Sequence, residues 1–287
     1  MKKIIYILEY IGIILIYLLF KILPLNFAIN FSSFLFVAFG KLSRSNKIAI
    51  NNCKYVFPDL SEYEIKNIIK TSWKNLGMTI CELLRINDVF KKNKIKYKNL
   101  ENIEDFVTNK KQAIFISIHQ SNWEVLVPSL DRIGINIGGI YRHINNLLID
   151  KLILKIRRNS LVSKNSFYTP KGKKSAKDIL NAINNCSSIV LLIDQKDSSG
   201  EEVMFFNKKV KTQIGFLKIA RKYKLPIIPI QNKRFNNGNI ELTFLEPIYH
   251  VDTKINDTQM MEKIHNKIED WIKSEPAQWF WQHKRFS

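Results

Sequence analysis

The sequence predicts an α/β protein, a mixed, largely parallel sheet flanked by helices, entered through an N-terminal membrane helix. Three observations lead there. From residue 113 onward, short apolar runs alternate with stretches of helical periodicity, as in a parallel sheet with crossover helices. An Asn236-Asn237-Gly238 turn between two apolar runs adds an antiparallel hairpin. Near the start, Ile4 to Phe20 is apolar apart from Glu9 and the tyrosines.

That first stretch follows Lys2 and Lys3 and has the length of a short spanning helix, with Glu9 near one end where a carboxylate is least costly. No small-x-small cleavage site follows it, which favours an anchor over a signal peptide. A second apolar stretch, Ile22 to Gly40, is broken by Pro24, Asn26, Asn30 and the Ser32–Ser33 pair. It reads as an interfacial amphipathic helix, with a return through the membrane as the alternative. Lys41, Arg44 and Lys47 place the emerging chain on the cytoplasmic side, although Lys2 and Lys3 compete for that side and a hairpin would satisfy both. Residues 1–40 are therefore expected to form an anchor and interfacial segment, and residues 41–287 one further domain.

In that domain, Ser61 and Glu64 read as a capping box opening a helix whose apolar face is Ile65, Ile68, Ile69, Trp73 and Leu76, running to Leu84. Strands are expected at 113–118, 137–141, 189–193, 227–231 and 240–245, and helices at 123–130, 147–158, 175–184, 213–223 and 257–273, the last stopped by Pro276.

With 46% hydrophobic and 24% charged residues, whole-chain disorder is excluded. The net charge of +20 suits a polyanionic partner, whether nucleic acid, an anionic bilayer or an acidic carrier, though a Lys-rich proteome produces the same excess. The basic residues are spread along the chain without a zinc-finger, RRM or KH signature, which favours the membrane surface over nucleic acid. Cys53, Cys81 and Cys186 lack C-x-x-C spacing, so neither a disulfide framework nor a zinc site is indicated.

The chemistry-bearing feature is His119. It falls at the end of the strand 113–118, and in open α/β sheets ligands bind beyond the carboxyl ends of the strands. Gln120-Ser121-Asn122 turns the chain into the next helix, with Ser121 or Asn122 as N-cap and Glu124 in the first turn. There Glu124 is expected to orient the His119 imidazole, which would take a proton from a hydroxyl. The spacing alone is weak, because with 25 acidic residues in 287 a chance match at one of five histidines is unremarkable. His265 and Asp270 repeat it within one predicted helix, where they point about 140° apart and cannot cooperate.

The segment His119-Gln-Ser-Asn-Trp-Glu124 resembles the H-x4-[DE] block of the bacterial late acyltransferases of lipid A biosynthesis, the lauroyl/myristoyl family, which usually carries Gly where Ser121 stands. Further blocks resemble that family in the same order. Arg44, Ile48, Ala49 and Asn52 precede Val56-Phe57-Pro58-Asp59-Leu60-Ser61; Tyr141-Arg142 precedes Asn146, Leu148 and Asp150, with His143 and Leu147 replacing prolines. Then come Ile193-Asp194-Gln195, Phe205-Phe206 with Thr212, and the tail Pro276, Gln278, Trp279, Trp281, His283, Arg285, Phe286. The resemblance covers about residue 41 to the end and implies a glycerolipid acyltransferase-like fold.

It also implies acyl transfer from an acyl carrier protein thioester to a hydroxyl of a Kdo-bearing lipid IVA-type lipid A precursor, at the bacterial inner membrane with the catalytic domain on the cytoplasmic side. Matched residue by residue, His119 is the base and Glu124 its partner. Arg157 is a substrate or oxyanion cation, Asp194 orients an arginine or binds a sugar hydroxyl, and Arg142, Asn122 and Gln195 line the substrate. Neither a cofactor nor a metal is implied. The blander readings are a basic amphipathic helix face for Arg157, a strand-end turn for Asp194, and packing or interfacial roles for Trp271, Trp279 and Trp281. Two other functions stay open: a lysophospholipid or glycolipid acyltransferase using acyl-CoA, and a non-catalytic basic membrane-surface protein.

Overall fold

The computed structural model describes residues 2–250 and 254–286. Helices α1 (Lys2–Ile22), α2 (Leu25–Gly40), α3 (Arg44–Val56), α4 (Glu62–Leu84) and α5 (Ile86–Lys91) lead into β1 (Ile95–Lys98) and α6 (Glu104–Thr108). The alternating part follows as β2 (Ile114–Ser117), α7 (Leu126–Arg132), β3 (Ile137–Tyr141), α8 (Leu147–Arg158), β4 (Phe167–Pro170), α9 (Lys173–Asn184) and β5 (Ser188–Leu192). A hairpin, β6 (Glu201–Phe205) and β7 (Lys208–Thr212), precedes α10 (Gly215–Tyr223), β8 (Ile227–Arg234), β9 (Ile240–Phe244) and α11 (Asp257–Ser274).

Seven strands form one sheet in the order β1-β9-β8-β2-β5-β3-β4, in which only the β8–β9 pairing is antiparallel. The expected mixed, largely parallel sheet flanked by helices is the architecture found. Strand β2 lies at its centre and is buried at every position, because both faces are covered. Ile114, Ile116 and Ile118 point into a core with α10 and α11, while Phe115 points into the opposite one with Val125, Leu130 and Ile228.

The capping box at Ser61 forms as expected, with Ser61 Oγ accepting from the Glu64 amide and the Glu64 carboxylate accepting from the Ser61 amide. Helix α2 does not stand apart from the domain. It lies along α4, where Ser32 Oγ donates to the Gly77 carbonyl at 2.7 Å, and Leu25, Ala28 and Ile29 share a core with Leu83, Leu84, Ile153 and Ile156. Helices α1 and α2 thus contribute to the packing of α4 and α8. Among the described residues, Lys3–Ile22 is the one helix long and apolar enough by itself to cross a membrane.

Gly77 is what lets the two helices approach: a Cβ there would lie 2.7 Å from the Ser32 carbonyl oxygen and 2.8 Å from Ser33 Cα. Helix propensity alone makes Gly77→Ala stabilising by about 1 kcal/mol. The backbone clash opposes this, and the expected net outcome is a loss of about 1–2 kcal/mol, measured as a lowered midpoint of thermal unfolding in detergent.

Candidate active site

Strands β2 and β5 are parallel neighbours with Ser117 opposite Leu192. Continuing that register by two residues brings His119 opposite Asp194. There the His119 ring Nδ1 lies 2.7 Å from Asp194 Oδ1, and the His119 amide donates to Asp194 Oδ2 at 3.1 Å. Trp279 Nε1 donates to the same Oδ2 at 2.8 Å, so both carboxylate oxygens are committed. Burial alone would push the Asp194 carboxyl up, but the adjacent His119 charge and the hydrogen bonds from the His119 ring, the Trp279 indole and the His119 amide hold it below the ordinary carboxylate range. An ionised Asp194 at Nδ1 keeps the proton of a neutral imidazole on that nitrogen and leaves the lone pair on Nε2. The Gln195 amide nitrogen is 3.3 Å from Nε2, the ring nitrogen that Asp194 leaves untouched. Trp123 stands edge-on to the imidazole at 5.2 Å between centroids, and Phe280 completes an aromatic wall at 6.1 Å.

The residue that orients His119 is therefore Asp194 rather than Glu124, which makes no hydrogen bond to His119. Glu124 is gripped by Arg157: Nε donates to Oε2 at 2.8 Å and Nη2 to Oε1 at 2.7 Å, a fork-on-fork pair. Asp194 reaches the imidazole along the sheet register, whereas Glu124 sits in a 3-10 turn (Trp123–Val125) that aims it toward α8. Burial alone would lower the Arg157 pKa, but the charge and hydrogen bonds of Glu124 raise it above the ordinary value, making the guanidinium a permanent cation. Nη1 has no partner among the described residues.

Asn122, expected to line the substrate, is fully buried, and both ends of its amide are taken. Its Oδ1 accepts from the Glu124 amide at 3.0 Å and its Nδ2 donates to Glu82 at 2.8 Å. Glu82 is in turn paired bidentately with Arg234, at 2.6 Å for both contacts. Asn122 therefore holds the turn from behind, with its carbonyl bonded to Asn232 at 2.6 Å. No motif marked Glu82, and it becomes legible only once α4 and β8 are known to meet behind the turn. Arg142, at the end of β3, is exposed, and its charge is felt at His283, which burial pushes down to about 4.

The tail beyond α11 is part of the site. Ser121 donates its amide to the Gln278 carbonyl at 2.9 Å, and the Phe280 amide donates to the His119 carbonyl at 2.9 Å, zipping the tail against the turn from His119 to Glu124. Trp271, Trp279 and Trp281 are all buried, which removes the headgroup-level role. The signal for Trp279 was its place in the tail block, but the block could not say that its indole faced Asp194. A cleft of about 480 Å³ between α5, β1 and α7, lined by Asn87, Phe90, Lys91, Tyr97 and Arg132, holds none of these groups.

Ser121 takes φ +53°, the left-handed region that glycine adopts freely, and its buried hydroxyl has no hydrogen-bond partner. His265 is no catalytic residue: it is buried, its Nδ1–H donates to the Met204 carbonyl at 2.6 Å, and its Nε2 faces Arg285. Burial, reinforced by the Arg285 charge, pushes it down to about 3.

The site thus brings together a strand-end imidazole held by a buried carboxylate and an arginine locked onto Glu124 of the following turn. The family model "Bacterial lipid A biosynthesis acyltransferase" matches residues 1–287, and the chain belongs to that family. The Escherichia coli (strain K12) protein "Lipid A biosynthesis lauroyltransferase" is 23% identical over 263 residues, covering 85% of this chain and 80% of that protein. The crystal structure of the 1-acyl-sn-glycerophosphate (LPA) acyltransferase PlsC from Thermotoga maritima aligns with a TM-score of 0.39 at 12% identity, covering 80% of this chain and 96% of that one. The protein is thus an acyltransferase, transferring an acyl group to a lipid.

Two outcomes follow from this geometry. Ser121→Gly removes the left-handed strain and the orphaned hydroxyl together, so unfolding stability rises by about 1 kcal/mol, readable by denaturant titration. His265 is neutral when folded down to about pH 3 but protonates near 6.5 when unfolded, so the unfolded chain binds the extra proton between those values and stability falls as pH drops through that window. Replacing it by Gln, which cannot titrate, flattens that acid limb in pH-resolved thermal unfolding.

Proposed function

We propose that the chain transfers a fatty acyl group from an acyl carrier protein thioester to a hydroxyl of a Kdo-bearing lipid IVA-type lipid A precursor, at the cytoplasmic face of the bacterial inner membrane. The observation that carries the reading is the His119 ring, held by Asp194 at Nδ1 with Nε2 met only by the Gln195 amide among the described residues. A substrate hydroxyl taking the place of the Gln195 amide hands its proton to Nε2 as its oxygen attacks the thioester carbonyl. The carbon–sulfur bond of the tetrahedral intermediate then breaks, and the departing thiolate takes the proton from the imidazolium. No covalent enzyme nucleophile is needed, because the thioester is already activated. Burial pushes the Cys53 and Cys81 thiols up to about 12, out of the reactive range.

Arg157 offers Nη1 to the carbonyl oxygen as it becomes anionic, or to a phosphate of the acceptor, and Glu124 fixes the guanidinium in place. Arg142 is a second, exposed cation beside the site. The +20 charge supports two anionic substrates at once, the acidic carrier and the phosphorylated glycolipid.

Purified protein in lipid–detergent micelles, offered carrier-bound or CoA-bound acyl groups and either a lipid A precursor or a lysophospholipid, tests the substrate assignment: preference for CoA and lysophospholipid overturns it. His119→Ala lowers turnover by about 10²–10⁴-fold with folding retained. Asp194→Asn also lowers turnover and moves the acid limb of kcat/KM to lower pH, because the anion stabilising the imidazolium is gone. Glu124→Gln loosens Arg157 and cuts turnover without moving that limb. A shift with Glu124→Gln and none with Asp194→Asn would return the orienting role to Glu124.

A further inference from the structure

Helix α1 is attached to the domain along almost its whole length. At one end the buried Asn146, N-cap of α8, donates from Nδ2 to the Tyr6 carbonyl at 2.8 Å and to Glu9 Oε2 at 2.9 Å. At the other, Arg85 Nη1 donates to the Leu23 carbonyl at 2.9 Å and also to that of Phe20. Between these ties Tyr6, Tyr10, Ile13, Tyr17 and Phe20 recur at helical spacing as the half-buried or buried side, and Phe20 shares a core with Ile153 and Ile156 of α8. The rise from Tyr6 to Phe20 is about 21 Å. Helix α8, about 17 Å long by the same rise, runs beside most of that distance, and its exposed Lys151, Lys155 and Arg158 go with it.

Were α1 upright across a bilayer, α8 would be carried into the hydrocarbon with these charges, among the most expensive groups to place there. The opposite side of α1 is of another kind. Ile4, Leu8, Ile11, Leu15, Leu18 and Ile22 recur at spacings of four and three, between 48% and 82% exposed. At 100° per residue this stripe lies almost diametrically across the helix from the side facing the domain. Exposed Phe27 and Phe34 of α2 add to the apolar exterior beside it.

We infer that α1 lies in the plane of one leaflet, docked on α8, with its outer stripe in the acyl chains, and that it does not span the membrane. This rests on the membrane reading above. The occupant of the stripe is the hydrocarbon of that leaflet, which no water-soluble partner replaces over a face this long and this free of polar groups. Glu9 is tolerated because Asn146 takes its carboxylate on the domain side. Both ends of α1 then lie on the same side of the membrane as the domain, and the acceptor lipid reaches His119 from the leaflet in which the helix rests.

Cysteine labelling tests the topology. Cys186 is exposed and reports the side of the domain, while Cys53 and Cys81 are buried. Lys3→Cys, combined with Cys186→Ser, reports the start of α1. In spheroplasts of an expressing bacterium, treated with a membrane-impermeant maleimide and normalised to labelling in denaturant, both thiols are expected to stay at background until the cells are lysed. Labelling of Lys3→Cys at the lysed level in intact cells, with Cys186 protected, or the reverse, means that the helix crosses and overturns the inference. Carbonate extraction separates the underlying reading: a chain released into the soluble fraction overturns the membrane reading and the in-plane helix with it. A chain retained with its two thiols on opposite sides overturns only the second.

Discussion

The parallel pairing of β2 with β5 is the constraint on which the site depends. Two residues past the register Ser117 opposite Leu192, each strand leaves the sheet, and the side chains released there are His119 and Asp194. A slip of one residue in this pairing would turn each strand's side chains to the opposite face and separate the imidazole from its carboxylate. The register is protected by burial: β2 is enclosed on both faces, with Ile114 and Ile116 in one core and Phe115 in the other. Packing energy from the whole domain is thereby converted into a single 2.7 Å contact.

Behind that contact stands a polar scaffold in a mostly apolar interior. The ion pair of Glu82 with Arg234 supports Asn122, and Asn122 caps the turn that carries Glu124. Such a pair is costly to bury, and truncating one partner strands the other charge, so its retention is better understood as geometric than as stabilising. The Thr79 hydroxyl adds a bond to the Ser121 carbonyl at 2.8 Å, holding the left-handed residue in place. One turn therefore carries both the imidazole and the carboxylate that Arg157 grips, with His119 at its entry and Glu124 at its exit.

Much of the fold was legible in the sequence because burial on both faces leaves an apolar signature. The strand at Ile137–Tyr141 and the helix at Leu147–Arg158 fall where the periodicity placed them. The hairpin β6–β7 was not legible: its strands read Glu-Glu-Val-Met-Phe and Lys-Lys-Val-Lys-Thr, half their positions face water, and its turn uses Phe206 and Asn207 at positive φ without a glycine. In the site, His119, Glu124, Arg157 and Asp194 were all visible as residues. Their partners were exchanged, because a spacing of five along the chain is conspicuous in sequence while a neighbour 75 residues away is not. Only the strand order shows that Asp194 is nearer in space than Glu124 in any sense relevant to the imidazole.

Trp279 gives the carboxylate of Asp194 its third donor from 85 residues away, and the residue next to it in sequence, Phe280, closes on His119. Long-separated contacts of this kind are entropically the last to form. With the tail unpacked, Asp194 lacks one of its three donors and the His119 carbonyl lacks the Phe280 amide. In an acyltransferase built this way the tail acts as a closing latch, since the surroundings of Asp194 and His119 are complete only when the far end of the chain has folded back onto them.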